Sequence, residues 1–196
     1  FAGFIMGGVM YGIFFTPFFQ IERIVVSGNA KIPEDSLREI AQANLSRKFM
    51  FFEMNHFLVA NTSAAAEEVK VAFLEIESVV VQREFPDSFH IIVRERQGIA
   101  SWCQGNPRRC FALDAHGVVF EEKEPELEMI LSRNDGSEVN VGEEAVNPEL
   151  LKRILSFGQQ LDASSIFGEV GLRVSSAVLV SKERVNVKIS EGWEIY

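Results

Sequence analysis

The 196-residue sequence is short of basic charge, histidine and cysteine, and each shortage excludes a class of function. It carries 19 Lys and Arg against 28 Asp and Glu, which gives a formal net charge of −9. Proteins that bind nucleic acid present a basic patch to the phosphates, so nucleic acid is excluded as the main partner. Three His and two Cys residues form no set of metal ligands at a typical spacing. We therefore expect no metal site and no cofactor.

The sequence also lacks the short motifs that mark catalysis. It contains no P-loop, no G-x-S-x-G elbow, no H-E-x-x-H and no S-x-x-K. His56, His90 and His116 are widely separated, and no nucleophile accompanies Asp114 and His116, which lie two positions apart. An enzyme would need a cleft with perturbed titratable groups. We expect a protein that is not an enzyme and has no small-molecule substrate.

The N-terminal run 1–19 contains no charged residue and is rich in Phe and Gly. Nineteen helical residues at ~1.5 Å each match the ~30 Å hydrocarbon core of a bilayer. The run predicts a single transmembrane helix within residues 1–20. A cleaved signal peptide is the alternative, but its apolar region is usually shorter and ends in small residues. Since the sequence begins without Met or a basic flank, we expect that residues precede it.

The two cysteines, Cys103 and Cys110, flank turn-forming residues in the stretch SWCQGNPRRCF. A hairpin here places both thiols on facing strands, within the Cα separation that a disulfide requires. A disulfide indicates an oxidising compartment. Two free structural thiols are the alternative, and a zinc site would need two further ligands.

Hydrophobic periodicity predicts an α+β protein with two modules after the N-terminal run. The first module, 21–96, has the order strand, helix, helix, strand, strand, with helices opening at Pro33 and after a cap at Ser63. That order predicts a small two-layer βααββ domain. The second module, 97–196, predicts a mostly antiparallel β domain with one helix that opens at Pro148.

An acidic segment, 121–149, accounts for most of the net charge. It contains ten acidic residues against two basic ones. We interpret it as a solvated acidic loop region, with a site for a cation or a basic partner as the alternative.

The ordered motifs of the chain resemble the FtsQ/DivIB family of single-span bacterial cell-division proteins. The matching stretches are IERIVVSGNAKIPEDSL after the apolar run, ESVVVQREFPDSFHIIVRERQGIASW, and DAHGVVF at 114–120. The resemblance implies a POTRA (polypeptide-transport-associated) domain followed by a β domain, both outside the cytoplasmic membrane. It also implies a non-enzymatic scaffold at the division septum, anchored in the inner membrane. The implied partners are other division proteins, namely the coiled-coil proteins FtsB and FtsL.

The resemblance implies that the partner adds a strand to the terminal edge of the β domain. We expect the sequence to stop before the family's last strand and to leave 184–189 and 193–196 as an exposed edge. The candidate partner-binding residues on that edge are Val185, Val187, Ile189, Trp193, Ile195 and Tyr196. The alternative function is a POTRA-type chaperone or translocation module that handles polypeptides in the cell envelope.

Overall fold

A computed structural model describes residues 2–15, 17–49, 52–54, 56–105, 108–125, 129–163, 174–180, 185–189 and 194–195. The chain divides into two compact units, Phe1–Glu95 and Arg96–Tyr196.

The N-terminal apolar run forms helix α1, Ala2–Phe15, followed by one turn of 3₁₀ helix at Pro17–Phe19. Proline lacks an N–H and disfavours helical geometry in the residue before it, which explains why α1 ends before Pro17. The 14 residues of α1 extend about 21 Å, less than the ~30 Å of a hydrocarbon core. Across the described ranges, no helix has both the length and the apolar character needed to cross a membrane. The predicted 19-residue span is therefore not confirmed.

The first unit is a two-layer POTRA-like α+β fold. Its three-stranded sheet has the order β1-β5-β4, with β1 parallel to β5 and β4 antiparallel to it. A small hairpin, β2–β3, lies between α2 and α3 in the chain. The elements are β1 (Arg23–Ser27), α2 (Glu34–Leu45), β2 (Arg47–Phe49), β3 (Phe52–Met54), α3 (Thr62–Ala72), β4 (Ile76–Glu84) and β5 (Ser88–Glu95).

Alternation along the strands separates a core face from an open face of this sheet. Leu37 and Ala41 from α2 and Val69 from α3 are buried in one cluster with Phe89 and Ile91 from β5. The predicted cap of the second helix is wrong by two residues. The side chain of Asn61, not that of Ser63, accepts a hydrogen bond from the N–H of Ala64 at 3.2 Å.

The turn after β1 depends on Gly28 and Glu95. Gly28 has φ +83°, and a Cβ there would lie 2.0 Å from the backbone oxygen of Val93. The Glu95 carboxylate accepts the N–H groups of Ala30, Lys31 and Ile32 at 2.8–3.0 Å. Desolvation, the largest single influence, raises the pKa of Glu95, but these hydrogen bonds together with the charge of Lys31 outweigh it and hold the pKa below 4.5. The turn is therefore fixed to the end of β5.

The second unit contains a seven-stranded mixed sheet and helix α4. The strand order is β12-β11-β10-β9-β6-β7-β8, in which β9 runs parallel to both of its neighbours and the other pairs are antiparallel. Helix α4 begins at Pro148 as predicted. The elements are β6 (Ala100–Gln104), β7 (Arg109–Leu113), β8 (Val119–Glu122), β9 (Ile130–Arg133), α4 (Pro148–Ala163), β10 (Val174–Leu179), β11 (Val185–Ile189) and β12 (Glu194–Ile195).

The interpretation of 121–149 as a solvated loop is wrong for the middle of that segment. Strand β9 lies there and occupies the centre of the sheet, between β10 and β6. Leu131 on β9 is fully buried together with Trp102 and Leu113. Sequence patterning missed this strand because the stretch is short and acidic residues lie on both sides of it. The net charge of the segment comes from these flanking residues and not from the strand.

Candidate protein-binding edges

The terminal strand β12 is the end strand of the seven-stranded sheet. It pairs with β11 through Val187 opposite Ile195 and Lys188 opposite Glu194. The backbone of an edge strand presents N–H and C=O groups on its outer side, which form a template for an added strand. The structure therefore brings a candidate docking edge to Glu194 and Ile195.

Four of the six predicted partner-binding residues lie on two strands with different positions in the sheet. β11 lies between β10 and β12, so it is an interior strand and not the exposed edge that the sequence predicts. Val187 is buried, and Val185 packs against the core. Ile189 belongs to β11 and Ile195 to β12. Trp193 and Tyr196 lie outside the described residues.

The opposite end of the sheet is covered by the chain's own acidic segment. The N–H of Val119 on β8 donates to Glu143 O at 3.0 Å, and the N–H of Gly142 donates to Val119 O at 2.7 Å. The N–H of Ala145 donates to Gly117 O at 2.8 Å. Covering an edge in this way blocks strand addition at Val119, the first residue of β8. The described parts of the two end strands therefore differ, and no local sequence pattern indicated this role of the acidic segment.

A buried ion pair supports the turn that leads into β8. Asp114 is buried and pairs with the guanidinium of Arg96. Its Oδ1 also accepts the N–H groups of His116 and Val118, both at 2.9 Å. Asp114 and His116, two positions apart in the sequence, therefore belong to an Asx turn, in which the aspartate orders the backbone. Gly117 in this turn has φ +75°.

The hairpin β6–β7 carries the cysteine pair and an ion pair. Cys103 and Cys110 face each other in the ladder and form a disulfide with Cα atoms 4.1 Å apart. Beside them, Arg109 donates to both carboxylate oxygens of Glu122 at 2.8 and 2.7 Å. The hydrogen bond from Arg109 lowers the pKa of Glu122. The hairpin end next to β8 is therefore tied both covalently and by a bidentate contact.

Three polar residues meet on the open face of the first sheet. Ser27 Oγ lies 2.8 Å from His90 Nε2, and His90 Nδ1 lies 3.5 Å from Glu84 Oε1. Sequence reasoning missed this group because its members are on three strands and up to 63 positions apart. A hydroxyl, an imidazole and a carboxylate in this order resemble a nucleophilic triad. Backbone N–H groups in a sheet lie in its plane, however, so they do not form an oxyanion hole above the face.

Comparison with known protein families identifies the domain type of the first unit. Residues 19–96 match the family model for the FtsQ-type POTRA domain. The Neisseria gonorrhoeae cell division protein FtsQ is 28% identical over 127 residues, which are 65% of this chain and 45% of that protein. The Clostridium botulinum cell division protein DivIB is 24% identical over 187 residues, which are 91% of this chain and 69% of that protein. These matches identify residues 19–96 as an FtsQ-type POTRA domain and support the assignment of this chain to the FtsQ/DivIB family.

The family match confirms the resemblance on which the sequence interpretation rests. The chain contains an FtsQ-type POTRA domain, which covers β1 to β5. The chain spans less than half of the length of the Neisseria FtsQ. A solved structure of POTRA1-2 of the periplasmic domain of Omp85 from Anabaena is 12% identical, with a TM-score of 0.29. That comparison covers 90% of this chain and 98% of the other.

Proposed function

We propose that this FtsQ/DivIB protein is a non-enzymatic, membrane-anchored scaffold of the bacterial divisome. In this role it links division proteins during septum formation by binding small coiled-coil partners of the FtsB and FtsL type. The docking site is the outer edge of β12, at Glu194 and Ile195.

The asymmetry of the seven-stranded sheet is the observation that carries this proposal. Among the described strands, β12 stands at the end of the strand order, whereas β8 is hydrogen-bonded at Val119 to Gly142 and Glu143. An added strand gains main-chain hydrogen bonds at an open edge but not at a covered one. The partner's strand therefore docks beside β12 and extends the sheet.

The anchor and the compartment follow from two further features. The apolar run 1–19 has no charged residue, and Phe4, Ile5 and Met6 on α1 are exposed in the isolated chain. Exposed apolar side chains of this kind suit a lipid environment. The Cys103–Cys110 disulfide favours an oxidising compartment for the second unit. The proposed location is therefore the inner membrane, with the bulk of the chain outside the cytoplasm at the division septum.

The proposal is tested by following the full-length protein in dividing cells. A fluorescent fusion is expected to concentrate at midcell before constriction, and depletion of the protein is expected to give undivided filaments. The control is the same fluorescent fusion carrying the substitution Val71→Ala at an exposed position of α3. This variant is expected to concentrate at midcell like the unsubstituted fusion. Even distribution around the envelope combined with normal division on depletion would reject the proposed role.

A further inference from the structure

An aromatic cluster joins the exit of α1 to the turn between β4 and β5. Phe85 in that turn lies 6.3 Å from Phe18, 6.0 Å from Phe19 and 6.2 Å from Phe57, measured between ring centroids. Hydrogen bonds hold the same segments together. The N–H of Phe57 donates to Phe19 O at 2.8 Å, and the N–H of Glu22 donates to Asp87 O at 3.0 Å. The residues that follow α1 are therefore fixed against this end of the POTRA domain.

Part of this cluster is exposed although it is strongly apolar. The exposed fractions are 71% for Phe85 and 57% for Phe18, whose rings are neighbours, and 44% for Leu58, which directly follows Phe57 of the cluster. We call these three residues the apolar end. A contiguous exposed apolar surface marks a site of interaction, whereas single exposed apolar residues do not. The apolar end therefore needs an occupant.

Arg83 fixes the apolar end as a rigid surface. Its guanidinium donates to the backbone oxygens of Phe57 and Ala60 at 2.9 and 2.6 Å, and to that of Leu58 at 3.3 Å. It also lies 5.7 Å from the centre of the Phe57 ring. These contacts attach the segment that carries Leu58 to β4, beside the turn that carries Phe85.

Continuity with α1 identifies the occupant. Phe18 is three residues beyond the end of α1, the proposed anchor, so the apolar end begins where the chain leaves the bilayer. We propose that the apolar end lies in the boundary between the headgroups and the acyl chains of the lipid bilayer that holds α1. Phe and Leu side chains on a membrane-facing surface enter that boundary by about 5–10 Å. This proposal rests on the proposed anchor.

The charges around Phe85 favour a zwitterionic lipid surface over an anionic one. Glu84 and Asp87 flank the turn and are acidic. Arg83, the cation next to Glu84 in the chain, is engaged by the backbone oxygens of Phe57, Leu58 and Ala60. The contact therefore depends on burial of apolar area and not on attraction to negative headgroups. It is expected to persist at high salt, which screens exposed charges.

The contact also sets the orientation of the POTRA domain. Strands β1 and β5 are parallel, and both begin beside the apolar end, with Arg23 opposite Ser88. Both strands then run away from the bilayer. The turn at Gly28 and the carboxylate of Glu95 mark the far end of the sheet, so strand β1 points outward from the membrane surface.

Fluorescence quenching by lipid tests the contact in the full-length protein. The variant Phe85→Trp places a reporter at the apolar end, and Val71→Trp places one at an exposed site near the end of α3. Each protein is reconstituted into vesicles of phosphatidylcholine brominated on its acyl chains. The emission of the unsubstituted protein, which comes from Trp102 and Trp193, is subtracted from that of each variant to give the added emission of the new tryptophan. Flotation of the vesicles is measured in parallel.

The added emission of F85W is expected to fall by about half in brominated vesicles, because the reporter lies within about 5–10 Å of the acyl boundary. The added emission of V71W is expected to stay unchanged. Protein that does not float with the vesicles overturns the anchor and the contact together. Protein that floats while F85W is unquenched overturns the contact alone. A blue shift of F85W without quenching means that protein, not lipid, covers the apolar end, and also overturns the proposal.

Discussion

Replacing Asp114 by alanine is expected to lower the free energy of unfolding of the second unit by about 3 kcal/mol, because it removes the buried carboxylate that pairs with the mostly buried guanidinium of Arg96. It also removes the acceptor for the N–H groups of His116 and Val118. Urea unfolding followed by tryptophan fluorescence measures the effect. Both tryptophans, Trp102 and Trp193, belong to this unit, so the signal is specific to it.

Asp135 provides a matched control for Asp114. Its carboxylate accepts the N–H of Ser137 at 2.9 Å, so it too forms an Asx turn, but it is exposed. Asp135→Ala is expected to cost no more than about 1 kcal/mol. If D114A and D135A lower the free energy of unfolding equally, the buried pair does not support the turn.

Replacing Gly117 by alanine is expected to destabilise the second unit by about 3 kcal/mol. Gly117 has φ +75°, and a Cβ at this position would lie 1.8 Å from Val146 O and 2.9 Å from Val146 C. Because these atoms of Val146 belong to the backbone, the added Cβ forces the loop at residues 142–146, which is hydrogen-bonded to Gly117 and Val119, to move. The displaced loop uncovers the outer side of β8, and an uncovered edge favours pairing with other chains. The same urea titration, together with light scattering, measures both effects.

A second variant, at Gly136, distinguishes the effect of the contact with Val146 from the effect of the left-handed backbone conformation. It has φ +70°, but no atom lies within 4 Å of a Cβ built there. Gly136→Ala therefore adds the left-handed strain alone, about 1 kcal/mol. Equal losses for G117A and G136A would show that contact with Val146 is unimportant and that the loop does not depend on this glycine.

The elements that sequence patterns predicted well are those with a strong local signal. Helix α4 begins at Pro148, and the POTRA strands follow the alternation of Val79 to Phe85 and of Phe89 to Val93. These signals depend on local propensity and on a single face of burial. The motif order also sufficed to indicate the family.

The elements that sequence patterns missed depend on contacts between distant segments. Strand β9 has only four residues, and acidic flanks surround it, yet it joins β6 and β10 at the centre of the sheet. The interior position of β11 depends on its pairing with β12, which is only two residues long. Ser27 and His90 meet because β1 pairs with β5, and no local pattern reports that register.

Copurification of the full-length protein with paired variants of β12 tests the central claim most directly. Successive residues of a strand direct their N–H groups to opposite sides. Proline removes the N–H and alanine keeps it, so Glu194→Pro and Ile195→Pro are each compared with alanine at the same position. The protein is isolated from gently solubilised membranes of its own cells, and its companions are identified by mass spectrometry.

Small single-span coiled-coil proteins are expected to accompany the unsubstituted protein and both alanine variants. Their recovery is expected to fall about tenfold with at least one proline variant, since the loss of strand hydrogen bonds amounts to about 1.4 kcal/mol. Equal recovery with all four variants would contradict docking at β12. Recovery of outer-membrane barrel components in place of coiled-coil proteins would contradict the scaffold role and favour polypeptide handling in the envelope.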